Sequence, residues 1–110
     1  MRYRKNVGDS GEEFAAKMLE NAGFEIMERN FWTKMGEADI IARKDGRLHF
    51  IEVKTRTNFN YGFPSDSITE EKKRSMRRVA EQYLNQRRMY WKNISFDVYE
   101  IVANLVVDCM

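Results

Sequence analysis

Asp39, Glu52 and Lys54 are the residues best placed to do chemistry, and a turn brings them into register. Two β-rich runs, Glu37 to Arg43 and Arg47 to Thr55, flank Lys44-Asp45-Gly46. Asp-Gly between such runs predicts a hairpin, because a type I′ turn needs positive φ at both central residues. With Asp45-Gly46 at the tip, Lys44 faces Arg47 and the pairing runs outward: Ile41 opposite Phe50, Ile40 opposite Ile51, Asp39 opposite Glu52, Ala38 opposite Val53 and Glu37 opposite Lys54. Directly opposed Cβ atoms lie about 4.5–5.5 Å apart, where like charges destabilise a sheet. Two carboxylates that close call for a cation. A hard ion such as Mg²⁺ takes oxygen ligands and binds through one or two carboxylates, with phosphate and water completing its shell. Lys54 points to the same side as Glu52, since side chains alternate along a strand. There it can hold or activate an attacking water, or neutralise charge developing on phosphorus; spacing does not choose between these roles. Without a metal, the same residues read as a solvated face with a Glu37–Lys54 salt bridge across the strands.

The elements that must position these groups follow from periodicity. Alternation puts Ala38, Ile40, Ala42, His49, Ile51 and Val53 on one face of the hairpin, as core, and leaves Glu37, Asp39, Glu52 and Lys54 on the other with Ile41 and Phe50. Ahead of it, Ser10-x-x-Glu13 and Asp9-x-x-Glu12 both have capping-box spacing, and Phe14, Ala15, Met18, Leu19 and Ala22 follow at helical spacing up to Gly23. Glu12 falls at the edge of that apolar sector and Glu13 nearly opposite it. Glu12 can therefore turn toward the sheet as a third carboxylate, or serve as an N-terminal acid favoured by the helix dipole. Phe24 to Phe31 reads as a strand, with a turn at Lys34-Met35-Gly36. A second helix begins after Ser67 or Thr69 and carries the stripe Met76, Val79, Ala80, Tyr83, Leu84. Asn93 breaks it, and Ile94 to Val102 reads as a strand. Asn104 to Cys109 would extend the sheet or form a short element. The order is α-β-β-β-α-β, an α/β domain.

At 110 residues the chain has room for a single domain, 1–110. Its 43% hydrophobic and 33% charged content excludes a disordered tail or a membrane protein. One cysteine, Cys109, rules out a disulfide framework within the chain and fits a reducing compartment. The basic N-terminus has no apolar segment after it, and no run approaches the roughly 18 apolar residues of a membrane span; a cytoplasmic location is expected. Net charge is only +2, but Lys72, Lys73, Arg74, Arg77, Arg78, Arg87, Arg88 and Lys92 face a single acid, Glu81, between Lys72 and Lys92. Such a helix is either a phosphate-binding surface or an ordinary solvated face. The long segment from Asn58 to Asp66 holds Phe59, Tyr61 and Phe63, suited to stacking on unpaired bases or to covering the end of the sheet. His49, the lone histidine, reads as structural, and the methionines as core filler.

Gly8-x-x-Gly11-Glu12-x-x-Ala15, Gly36-Glu37-Ala38-Asp39-Ile40-Ile41-Ala42 and Phe50-Ile51-Glu52-Val53-Lys54-Thr55-Arg56, with Gly62-x-Pro64 and Lys72-Lys73, resemble the YraN-like family of uncharacterised bacterial proteins. That family is grouped with the restriction-endonuclease-like superfamily and is similar to archaeal Holliday junction resolvases. The resemblance covers nearly the whole chain. It implies a restriction-endonuclease-like core with a mixed central sheet flanked by helices, and Mg²⁺- or Mn²⁺-dependent cleavage of phosphodiesters in structured DNA. It places the metal-binding acids on Asp39, Glu52 and Glu12, the catalytic lysine on Lys54 and an auxiliary acid on Glu37. Arg56, Lys72, Lys73 and Arg77 are the expected phosphate contacts. Ala38 stands where the superfamily has proline, a departure that leaves the Asp39 carboxylate in place. Two other readings stay open: a nucleic-acid-binding module without catalysis, and a protein-interaction domain. DNA against RNA and a homodimer are also open.

Overall fold

The computed structural model describes residues 2–56 and 69–102, with side chains described within 11–55 and 69–101. Helix α1 (Arg2–Asn21) leads into strands β1 (Glu25–Thr33), β2 (Gly36–Lys44) and β3 (Arg47–Arg56), then helix α2 (Glu70–Arg87) and strand β4 (Asn93–Val102). This is the expected α-β-β-β-α-β order. The four strands form one sheet in the order β1-β2-β3-β4. The first two contacts are antiparallel and β3–β4 is parallel, so the sheet is mixed. A parallel pair needs a long crossover, and α2 lies within the one here.

The hairpin closes at Asp45-Gly46. Both residues have positive φ, 52° and 76°, and Lys44 pairs with Arg47. Pairing then proceeds as expected through Ile41↔Phe50 to Ile40↔Ile51. Helix α1 is a correction at its start: it runs from Arg2, so the Ser10 capping box lies inside it. A capping box is a local preference worth about 1 kcal/mol and does not stop a helix already under way. Helix α2 begins where Thr69 caps it, the Thr69 hydroxyl accepting from the Lys72 amide at 3.1 Å. It ends on Arg88, whose left-handed φ of 55° lets the Met89 amide reach the Leu84 carbonyl. The Ser67 alternative, the aromatic segment from Asn58 to Asp66 and Asn104 to Cys109 lie outside the described residues.

Both faces of the sheet are core, whereas alternation alone predicted one polar face. Helix α1 buries Ala15, Ala16 and Leu19 against Ile40, Ala42 and Ile51. Helix α2 buries Val79, Ala80 and Tyr83 against Ile41, Leu48, Phe50 and Ala38. Ile41 and Phe50, expected beside the carboxylates, are 0% and 1% exposed. Helices on both faces of a sheet make a strand read as a continuous apolar run, which is what Ala38 to Ala42 becomes once Asp39 is set aside. Among the described residues, no helix is long and apolar enough to cross a membrane.

Candidate functional site

The strand changes parity at Asp39. Ala38 packs with Ile41 and Phe50 on the α2 face, while Ile40 and Ala42 pack on the α1 face. Two positions apart in a regular strand, Ala38 and Ile40 would share a face. The β2–β3 ladder correspondingly ends at Ile40↔Ile51, and the expected Asp39↔Glu52 pairing is not formed. Across β1, the regular register would set Asn30 opposite Asp39; that pair is absent from the ladder, and Asn30 holds a left-handed φ of 56°. The expected Glu37↔Lys54 pair is likewise missing from the β2–β3 ladder, while on its other side Glu37 pairs with Trp32 of β1.

What replaces the ladder is a side chain. The Asp39 Oδ2 accepts a 2.7 Å hydrogen bond from the backbone amide of Val53. In an antiparallel hairpin alternate residues aim their amides at the partner strand, so Val53 follows His49 and Ile51 in facing β2. The carboxylate thus takes the place of a β2 carbonyl, and the strands part just where the acids begin. Two partly buried carboxylates close enough to repel give this a physical reason: the Val53 N–H stabilises one of them, as a regular ladder would not. Burial still dominates. It pushes the Asp39 carboxyl above the ordinary aspartate range, opposed by the Val53 hydrogen bond, with Glu37 and Glu52 adding to the rise and Lys72 countering it.

Glu52 lies on the α2 face, half-buried, and Lys72 from the first turn of α2 forms an ion pair with its Oε1. The other oxygen, Oε2, is buried and has no hydrogen-bond partner among the described residues. Beside it is a cavity of about 200 Å³ bounded by Gly36, Glu37, Ala38, Glu52, Lys72 and Met76. Its rim needs Gly36: at φ 143° this residue lies so close to α2 that a Cβ would sit 2.7 Å from the Ser75 hydroxyl. That hydroxyl donates to the Met35 carbonyl and ties α2 to the β1–β2 turn.

The structure therefore brings together Asp39, Glu52, Glu37 and Lys72. Lys54 is half-buried and, two residues beyond Glu52 in a strand whose register with β4 is regular, shares its face. Glu12 is half-buried on α1, which packs on the opposite face of the sheet. It is nevertheless at the same end, because its neighbour Gly11 abuts β3: a Cβ there would be 2.6 Å from the Thr55 hydroxyl. Among the described residues, no three His, Cys, Asp or Glu side chains converge into a group able to hold a metal ion. Lys73 and Arg77 are exposed on α2, Lys73 in a surface pair with Glu70; the Arg56 side chain lies outside the described set.

Lys72 is the residue that sequence reasoning placed in the wrong setting, grouped with surface cations when it reaches into the acids. The one signal was its place three residues after the capping threonine, in a first turn that must lie near a strand end. His49 is packed, its ring edge-on to Phe24 at 5.0 Å and its Nδ1 2.7 Å from Asp97 of β4. It is remote in role from the acids, as a structural histidine.

Glu52 offers a buried carboxylate oxygen with no hydrogen-bond partner among the described residues, Asp39 offers a second carboxylate whose carboxyl is raised chiefly by burial, and the Lys72 ammonium stands against the first. Hard oxygen donors of this kind fit Mg²⁺ or Mn²⁺, which need only one or two carboxylates when phosphate supplies the rest.

Known proteins with similar sequences span almost the same length. A UPF0102 protein of Caldicellulosiruptor saccharolyticus is 41% identical over 102 residues, covering 93% of this chain and 86% of its own. One from Dictyoglomus turgidum is 41% identical over 100 residues, covering 91% and 85%. One from Clostridium perfringens strain SM101 is 43% identical over 100 residues, covering 91% and 82%. The family model for UPF0102 matches residues 11–101, from the glycine that abuts Thr55 to the next-to-last residue of β4. This chain belongs to the uncharacterised protein family UPF0102, the YraN-like family its motifs resemble.

Proposed function

We propose that the chain is a metal-dependent nuclease with a restriction-endonuclease-like core, hydrolysing phosphodiester bonds in branched or otherwise structured DNA. One observation carries this reading: the β2–β3 ladder is given up at Asp39, and the carboxylates beside the gap are incompletely compensated, Glu52 with a buried oxygen that has no hydrogen-bond partner among the described residues and Asp39 with a carboxyl raised by burial. A stable scaffold has no need of such a spot, and strained, poorly satisfied groups cluster where function requires them.

Asp39 and Glu52 are the residues that hold Mg²⁺ or Mn²⁺ in this reading, and Glu12 is the third acid on the strength of the resemblance. Such an ion, held there, would supply positive charge to the phosphate and would acidify a bound water. Val53 holds the Asp39 carboxylate in place through its amide. Lys54 stands on the Glu52 side to position water or to meet charge on phosphorus. Glu37 adds negative potential at the rim. Lys72, Lys73, Arg77 and Arg56 supply phosphate contacts, and affinity so built falls steeply with salt because each neutralised phosphate releases counterions.

The test is cleavage of junction, flap and duplex DNA with Mg²⁺ or Mn²⁺, by the parent chain and by Asp39→Asn and Glu52→Gln. Cutting that requires both carboxylates is expected. A second reading, a binding module without catalysis, draws on the Lys72–Glu52 pair, which neutralises the acids without a metal. DNA retention with no cutting under any metal would favour it.

A further inference from the structure

We infer that the groove between α2 and β4 binds an unpaired nucleobase next to the cleaved phosphate, which makes single-stranded or gapped nucleic acid the substrate feature this site selects. The inference rests on the nucleic-acid reading above and gives it a location. Among the described residues, helix α2 packs mainly over β2 and β1, and the same face of β4 is less covered. There Phe96 is 37% exposed, in a chain whose other core-facing phenylalanines on this face, Phe31 and Phe50, are 6% and 1% exposed. Its ring does not hang free: it stacks on Phe50 with centroids 5.8 Å apart and planes 27° from parallel. Phe50 is in turn held edge-on by Tyr83. Phe96 is thus a supported aromatic surface with one side covered.

The groove it helps to line measures about 350 Å³, and its other wall is Lys73, Met76 and Arg77 of α2. Successive basic side chains one turn apart beside an exposed ring match an alternating polymer of phosphates and bases. Stacking platforms flanked by cations are the general means of holding single strands. A purely apolar partner would leave Lys73 and Arg77 facing hydrocarbon, and Arg77 has no ion pair among the described residues. The groove also continues into the candidate site. Met76 borders both it and the cavity at Glu52, and Val98, which lines the groove, is the β4 partner of Glu52. Phe96 lies one strand over and two residues back, roughly 8 Å from Glu52 at ordinary strand spacings. A base on Phe96 therefore belongs to a nucleotide beside the reacting phosphate.

The experiment measures binding of a short fluorescent single-stranded DNA and of the same strand carrying abasic residues at its centre, both in chelator so that nothing is cut. The parent chain should prefer the strand with bases by on the order of tenfold. Phe96→Ala should remove that preference and Phe96→Trp restore it, while Lys73→Met with Arg77→Met should weaken both strands alike. Phe96→Leu, checked by thermal melting, keeps the apolar bulk and should also lose the preference, which separates stacking from damage to the fold. An unchanged preference in Phe96→Ala and Phe96→Leu overturns the inference even if the chain cuts DNA. Self-association of the parent that Phe96→Ala abolishes, with no base preference, also overturns it and assigns the groove to a second copy. A base preference that depends on Phe96 in a chain that never cuts sustains the groove and removes only the nuclease reading. No binding to either strand at low salt overturns both.

Discussion

The two ends of the β2–β3 hairpin obey opposite rules. At the tip, Asp45 and Gly46 take the backbone angles a type I′ turn demands, and pairs from Lys44↔Arg47 to Ile40↔Ile51 follow without a slip. At the open end, one step further, the ladder stops, the strand switches faces at Asp39, and a carboxylate replaces a carbonyl as acceptor for Val53. The tip is locally consistent in propensity, turn chemistry and packing. The open end concentrates like charge around Asp39, Glu52 and Glu37 and is held by partners from elsewhere in the chain. Local rules kept at one end of a hairpin and broken at the other are what a functional site at the second end is expected to produce.

That contrast can be broken at either end. The largest effect belongs to Lys54: Lys54→Met should cut the cleavage rate by about 10²–10³ while Mn²⁺ affinity holds or tightens. Single-turnover rates and Mn²⁺ titration on the same DNA would check it. Equal rates would reduce Lys54 to a structural cation. At the tip, Gly46→Val should cost about 1–2 kcal/mol, since φ of 76° is left-handed and a β-branched side chain resists it. Urea unfolding would measure it, with no effect on metal affinity. Lys72→Met should destabilise the metal-free chain by on the order of 1 kcal/mol, because it leaves Glu52 without its cation in a half-buried setting. It should also tighten Mn²⁺ binding, as the competing ammonium is gone.

The smallest effect has the opposite sign. Asp39→Asn should stabilise the metal-free chain by a few tenths to about 1 kcal/mol, because burial and the nearby Glu37 and Glu52 disfavour the ionised carboxylate. Because the folded carboxyl is raised, the folded chain binds a proton at Asp39 more tightly than the unfolded chain does. Ionised Asp39 therefore costs stability at neutral pH, and the cost fades as pH falls through the raised folded value to the ordinary 3.8. The gain from Asp39→Asn should be present at pH 7 and absent below that ordinary value. A gain that persists in acid would show that the cost is not electrostatic.

Much of this was legible from residues alone, and the reason differs by element. Asp45-Gly46 and the capping Thr69 are local signals, complete within a few residues, and the α2 stripe repeats the same contact every turn. The register could be counted outward from the tip, and it held as long as both strands stayed regular. It failed at Asp39 because the break depends on the Val53 amide fourteen residues away and coincides with a left-handed Asn30 on another strand. The apolar Ile41 and Phe50 hinted that the second face was also core, but only the helix packed there by the parallel crossover makes it so. Lys72 was hidden for the same reason: a cation on a basic helix looks like its neighbours until the helix is docked.

In the proposed function, the open end of the hairpin is a divalent-cation site. Calorimetric titration of the chain with Mn²⁺ in the absence of DNA, repeated on Asp39→Asn and Glu52→Gln, tests it without requiring catalysis. Saturable binding to the parent chain is expected, with a rise in melting temperature with Mn²⁺ that follows the same saturation and marked weakening in both variants. Binding that is absent from the parent, or that survives unchanged in both variants, would contradict it.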